Sequence, residues 1–324
     1  MGNCCISNKV DIEKNENDIK LRELQIDLKK HTILNWRSSF KTEKYHWWPM
    51  WETKINDRAN NLYAEGSGLH KYDNLFGSKS VIYQKKNYRI PIFSNRSDKK
   101  WAGFCNNSSI LASLYTYPKK SVVVNHNMKV VCFDTWEIEA LMICASENAV
   151  KKNMSIFFGK RNNNNTVLSK EEPTPCDLLH MLKVLCSYNK PFIMDIDNAN
   201  PVWNYAYDKV IVYTFEACPL EHVKPGEGQT VYYNFRICSA AYIENSQNLW
   251  AYVNTVYDED GTIIRKTEKW ISKVHPDFLW CRFPVNEPWH GKCDINPEID
   301  ASIVYKIYVE SLKDEPQLLV INTF

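Results

Sequence analysis

Past residue 229 the chain changes character: "TVYYNFRICSAAYI", "LWAYVNTVY" and "TIIRKTEKWIS" alternate or are rich in β-branched and aromatic residues, and "DEDG" (258–261) stands between the last two. Side chains that alternate across a strand, with a tight turn between two such runs, require antiparallel pairing. At 324 residues and 44% apolar content the chain can bury one large core or two smaller ones. The formal net charge of +2 supplies no broad basic field, so composition gives no support to a nucleic-acid partner. No apolar run approaches the length of a membrane span.

Eleven cysteines without a repeating spacing, no C-x-x-C pair and no hydrophobic signal peptide predict reduced thiols in a cytosolic compartment and no structural zinc. The opening "MGNCCISNK" combines Gly2 after the initiator Met with the adjacent Cys4 and Cys5, the composition of a myristate plus palmitate anchor. Ile6 stands where that pattern usually has Ser or Thr, with Ser7 one place late. From Val10 to Trp36, Ile12, Ile19, Ile26 and Ile33 recur every seven positions among Lys and Glu, which predicts an amphipathic helix that packs on the body in preference to pairing with a partner or lying on a membrane. "RNNNN" (161–165) and "HVKPGEGQ" (222–229) read as polar loops.

"WAGFCNNSS" (101–109) sets a cysteine at the head of "ILASLY", a short apolar helical pattern. At a helix N-terminus unpaired N–H groups and the positive dipole end stabilise a thiolate, so Cys105 is a candidate nucleophile. A base and an orienter are offered by "CDLLHMLKVLCSYNKPFIMDIDNANPVWN" (176–204). Read as a hairpin turning at "SYNK", it places His180 on one sheet face with Asp195 and Asp197. The same "LLHMLKVL" is also compatible with a helix. Among the aromatics, Trp47, Trp48, Trp51 and Trp101 divide between core and a substrate cleft, with Trp101 nearest the nucleophile; Asn56 is a candidate oxyanion donor beside backbone N–H groups.

Several blocks together resemble the transglutaminase-elicitor family of oomycetes and bacteria. They are "HWWPMWETKINDR" with "LHKYDNLFG", "WAGFC", "FFGKR", "FIMDIDNANPVWN" and "HPDFLW", in the family's order across about residues 45–285. The resemblance implies an α+β, papain-like transglutaminase core, with the nucleophile at the N-terminus of a helix packed on a mainly antiparallel sheet. It implies Cys105 as nucleophile, His180 as base and Asp195 as orienter, with Asp197 the second choice. After the cysteine the family usually has His-Gly-Trp where this chain has Asn106, Asn107 and Ser108, and "TPCDLL" replaces its Asn-Pro-Gly-x-Phe before the histidine.

The resulting expectation is an acylated tail (1–9), an amphipathic helix (10–36) and a transglutaminase-like domain (37–324). The activity implied is protein-glutamine γ-glutamyl transfer through a Cys-His-Asp thioester mechanism at the cytosolic leaflet of a membrane. Its partners would be a glutamine donor protein and a lysine acceptor. The alternatives are a silent scaffold of the same fold, or a deamidase or cysteine protease with the same triad; the alternative location is the cytoplasm. No cofactor is implied, and "YDEDGT" lacks the Asp/Asn spacing and terminal Glu of a calcium loop.

Overall fold

The computed structural model describes residues 29–51, 61–90, 102–160, 173–196, 202–216 and 224–322. In chain order these form β1 (Lys29–Arg37), α1 (Gly68–Phe76), α2 (Ser80–Tyr88), α3 (Cys105–Leu114), β2 (Val122–His126), β3 (Lys129–Phe133), α4 (Thr135–Cys144), β4 (Val150–Gly159), α5 (Pro175–Ser187), β5 (Phe192–Asp195), β6 (Asn204–Tyr207), β7 (Lys209–Glu216), β8 (Gly228–Cys238), β9 (Gln247–Tyr257), β10 (Ile263–Trp270), β11 (Phe278–Pro284), α6 (Ala301–Ser311) and β12 (Leu319–Val320). The strands make three sheets, ordered β1-β7-β8-β9-β10, β4-β11-β5-β6 and β12-β2-β3. Every pairing is antiparallel except β12 with β2. The fold class is therefore the α+β, mainly antiparallel one that the sequence implies.

The alternating segments after residue 229 become β8, β9 and β10. At the last hairpin, the Asp258 carboxylate accepts from the N–H groups of Asp260 and Thr262, and Gly261 takes a φ of 78° that disfavours other residues.

Two expectations are corrected. Residues 29–36 belong to a strand, β1, which pairs with β7 through a bulge between Thr32 and Leu34; residues 10–28 lie outside the described ones. The β-branched Thr32 and Ile33 and an open edge on β7 outweigh the heptad spacing there. The segment around His180 is a helix, not the first arm of a hairpin. Thr174 and Asp177 form a reciprocal capping box, Pro175 opens the first turn, and Leu178, Leu182 and Leu185 fall on one buried face. The hairpin that does exist pairs β5 with β6, Phe192 opposite Tyr207 and Asp195 opposite Asn204.

The four-stranded sheet divides the interior. Ile193, Ala206, Phe278 and Trp280 face a core shared with α1, α3, α4 and α6. Phe192, Met194, Tyr207, Leu279 and Cys281 face the other way, against α5 and the inner side of the five-stranded sheet. No helix among the described residues is long and apolar enough to cross a membrane.

One buried acid fixes the aromatic segment that runs beneath α3. Glu139, on α4, accepts from the backbone N–H of His46, from the Trp48 indole at 3.0 Å and from the Tyr117 hydroxyl at 2.8 Å. Burial outweighs these three donors and pushes its carboxyl up to about 7 from an ordinary 4.5. Between those two values the unfolded chain ionises while the folded one holds the proton. The folded state thus loses stability as pH rises through this window, by about 3 kcal/mol in all. Glu139→Gln is expected to flatten the pH dependence of the urea midpoint between pH 4.5 and 7; an unchanged slope would show that Glu139 is not its source.

Candidate functional site

α3 begins at Cys105, as the sequence predicts, but its cap is Phe104 and no side chain caps it. Asn107, Ser108 and Ser109, cap-type residues by composition, lie instead inside the first turn and are buried. Asn107 donates to the Ser146 hydroxyl at 2.7 Å, while the Ser108 hydroxyl lies between the His46 and Phe104 carbonyls and that of Ser109 between the Asn204 and Cys105 carbonyls, 2.7 Å from each of these last two. The approach to the helix is tied to the aromatic segment held by Glu139. Phe104 N–H donates to the Trp47 carbonyl at 2.6 Å, and Met50 N–H donates to that of Ala102 at 3.0 Å. A Cβ on Gly103 would sit 2.2 Å from the Trp47 ring, so only glycine allows this approach.

Cys105 borders a cavity of about 490 Å³ lined by Asn106, Ser155, Phe157, Val202, Asn204, Phe278, Trp280 and Arg282. Phe157 is 54% exposed yet held by stacking on Phe278 at 5.3 Å. Arg282 is paired with Glu147 at 2.9 Å. The sulfur lies 3.6 Å from the Val202 carbonyl, to which the thiol donates. Asn204 is oriented from behind, since the Trp280 indole donates to its side-chain oxygen at 3.1 Å, leaving its NH₂ toward the sulfur. Backbone N–H groups of Asn204 and Asn106 also face the sulfur. Such converging donors are what an oxyanion or thiolate requires.

Asp195 is fully buried on the same sheet face as Asn204, and its carboxylate accepts from Trp203 N–H at 2.9 Å. Its charge reaches Cys105. Burial, the largest effect, raises the thiol above its ordinary range; the amides of Asn204 and Asn106 oppose it and the Asp195 charge reinforces it. The helix terminus alone does not set this thiol, and at neutral pH the resting site holds S–H. Cys144 and Cys293 are pushed up by burial as well, and Cys186 and Cys281 reach about 12 and about 11.

Asp195 lies close enough for its charge to act on the Cys105 thiol, while His180 stands apart from both. It is exposed on α5, which packs on the opposite face of the four-stranded sheet, and no histidine among the described residues lines the cavity. Trp48 is fully buried core, and Trp47 packs on Trp203 at 5.8 Å. Gly2, Cys4, Cys5, Asn56, Trp101 and Asp197 lie outside the described residues. The sequence reading gave no role to Asn204, Trp280, Phe157 or Phe278. Their signal was nonetheless in the motifs: "VWN", "FFGKR" and "HPDFLW", far apart in the chain, supply the wall of one cavity with Cys105.

A cysteine thus heads a helix that lies on an antiparallel sheet within an α+β arrangement, and this fold is shared with a solved transglutaminase. The crystal structure of the GP42 transglutaminase from Phytophthora sojae is similar to this chain with a TM-score of 0.57 and 17% identity, over 92% of this chain and 98% of that one. No family model matches the chain, and no curated protein matches it.

The raised thiol has a measurable consequence. The iodoacetamide rate at Cys105, followed by peptide mass spectrometry, is expected to climb about tenfold per pH unit from 7 to 9. Asp195→Asn removes the repelling charge and should speed alkylation several-fold at pH 8. A plateau below pH 8 would mean that Cys105 is already a thiolate.

Proposed function

We propose that the protein is a protein-glutamine γ-glutamyltransferase in which Cys105 forms a thioester with the glutamine side chain. One observation carries this reading: in a fold shared with a transglutaminase, Cys105 opens a helix at a cavity where Asn204 and Asn106 offer N–H groups to the sulfur and the Asp195 charge is felt. In this reading Asp195 takes the thiol proton as sulfur attacks the carboxamide carbon. The C–N bond then breaks, and the proton leaves with ammonia. A lysine amine attacks the thioester, gives a proton to Asp195, and the expelled thiolate recovers it. Because the thiol starts protonated, proton removal and attack are coupled, which a buried carboxylate on the sulfur's side of the sheet suits. Asn204, held by Trp280, stabilises the tetrahedral oxyanion; losing one such donor costs about a hundredfold or more.

Labelled-amine incorporation into a glutamine-rich protein should be abolished by Cys105→Ala and cut about a hundredfold or more by Asn204→Ala. Asp195→Asn should remove turnover while speeding Cys105 alkylation, a combination that mere misfolding does not produce. His180→Ala should retain activity; its loss with the fold intact would restore histidine to the mechanism and remove Asp195 as proton acceptor. A second reading, a binding protein that keeps the fold without turnover, is favoured by the raised thiol and by the absence of histidine from the described cavity wall. It predicts no incorporation by wild type under any acceptor. Ammonia release without incorporation would identify a hydrolase.

We further propose that Gly2, Cys4 and Cys5 carry myristate and palmitate. One myristoyl chain binds bilayers only marginally, so stable anchoring needs the second acyl group. In a eukaryotic cell, Gly2→Ala and the double Cys4→Ser/Cys5→Ser variant should both move the protein from the membrane to the soluble fraction. A wholly soluble wild type would remove the anchor.

A further inference from the structure

The five-stranded sheet has a second face, turned away from the core that its other face builds with α5. Register fixes what that face carries. Val210, Val212, Phe235, Ile237, Leu249 and Ala251 point inward, so their neighbours point out. Across the middle of the outer side the pairings set Lys30 beside Phe215, Phe215 beside Tyr232, Tyr232 beside Tyr252, and Tyr252 beside Lys269. This is a cross-strand row of three aromatics ended at both edges by lysine. The next row sets Tyr213, Asn234 and Trp250 side by side.

The charge on this face is one-sided. Lys30, Arg37, Lys209, Arg236, Arg265 and Lys269 lie on it, and no strand residue of that side is acidic. Instead of pairing with carboxylates, two of the cations rest on an aromatic ring: Lys30 Nζ is 3.8 Å from the Tyr213 centroid and the Arg236 guanidinium 5.3 Å. A net charge of +2 for the whole chain conceals this, because the sum takes no account of which side of a strand each charge occupies.

We propose that this outer face binds single-stranded nucleic acid, with bases stacked on Tyr232, Tyr252 and Trp250 and phosphates held by the edge cations. Rings on a sheet face among exposed cations are the chemistry of sequence-tolerant single-strand binding. Five strands at about 4.8 Å spacing give a row of about 19 Å, enough for a short run of nucleotides. Between the rings, Asn248, Asn254 and Thr230 offer amide and hydroxyl groups to base edges, and these are partly or fully exposed. An anionic lipid surface would use the same cations. It would reward protruding aliphatic side chains, whereas this face offers the half-buried rings of Tyr213, Tyr232, Trp250 and Tyr252 beside a buried Phe215, and its aliphatics Ile211 and Val256 are half-buried and buried. The site is separated from Cys105 by the second core and the four-stranded sheet, so it stands whether or not the protein transfers acyl groups.

The test is fluorescence anisotropy of the full chain with labelled 12-nucleotide oligouridylate and oligothymidylate, at several salt concentrations. Saturable binding is expected, weakening as salt rises. Tyr232→Ala and Tyr252→Ala should each weaken it about fivefold or more, the loss of one stacked base. The conservative Tyr232→Phe and Tyr252→Phe should bind near wild type, which separates stacking from a folding defect. Lys30→Glu with Lys269→Glu should weaken binding and reduce the salt slope. Absence of binding, binding indifferent to the tyrosine truncations, or equal affinity for a 12-base-pair duplex would each overturn the proposal. So would phosphatidylserine vesicles that bind through these residues while the oligonucleotides do not.

Discussion

The pairing of Asp195 with Asn204 at the end of β5 and β6 is the contact on which the candidate site depends. It places a carboxylate and a carboxamide on a sheet face otherwise built from Ile193, Ala206, Phe278 and Trp280, and it does so at the point where α3 crosses. Because strand side chains alternate, a slip of one residue would turn both polar groups into the second core, among Phe192, Met194 and Leu279. There a carboxylate has no donor and would cost several kcal/mol. Register is thus protected by the same burial that makes the site. Trp203, between the two faces' demands, closes the arrangement by donating its N–H to Asp195 while its ring packs on Trp47.

The same sheet explains why a histidine at residue 180 and a cysteine at residue 105 do not meet. Sequence parity places His180 with Asp195 only if both lie on strands of one hairpin. Capping decides otherwise: Thr174 and Asp177 each accept from the other's backbone N–H, and Pro175, which has no N–H to satisfy, opens the first turn. The helix then buries Leu178, Leu182 and Leu185 against the far side, leaving His180 exposed. "LLHMLKVL" was legible as a helix from its 3.6-residue spacing, and the capping box beside it was the deciding local signal. For residues 29–36 the deciding signal was not local. β1 exists because β7 has an edge to offer, and no heptad count in the strand's own sequence reports that.

What was legible in the sequence was legible for local reasons. The turn at Asp258–Gly261 and the strands after residue 229 each follow from residues within a few positions, and the helix after Cys105 follows from the apolar spacing of Ile110, Leu111 and Leu114 without a side-chain cap. What was not legible is convergence. Val202 and Asn204, Phe157, and Phe278 with Trp280 sit in motifs separated by dozens of residues, and only the order β4-β11-β5-β6 turns them into one wall. The motifs marked which residues matter without stating what they do. Asn204 becomes informative once Trp280 is seen to hold its oxygen, because that contact fixes which end of the amide faces sulfur.

Convergence also governs charge. Summed along the chain, basic and acidic residues nearly cancel, and the sum is blind to which side of a strand each occupies. In β10 the alternation itself sorts them: Arg265 and Lys269 point out beside Thr267, while Glu268 points in and accepts from the Cys176 N–H at the start of α5. Glu268 also pairs with Lys266 at 2.6 Å, so acid and base on the inner side neutralise one another, while among the described strand residues the outer side carries cations and no acid. A strand whose sequence reads as a balanced mixture therefore presents one neutral, structural face and one cationic face. The outer field is a product of pairing register, and it sits where the aromatic row crosses the sheet.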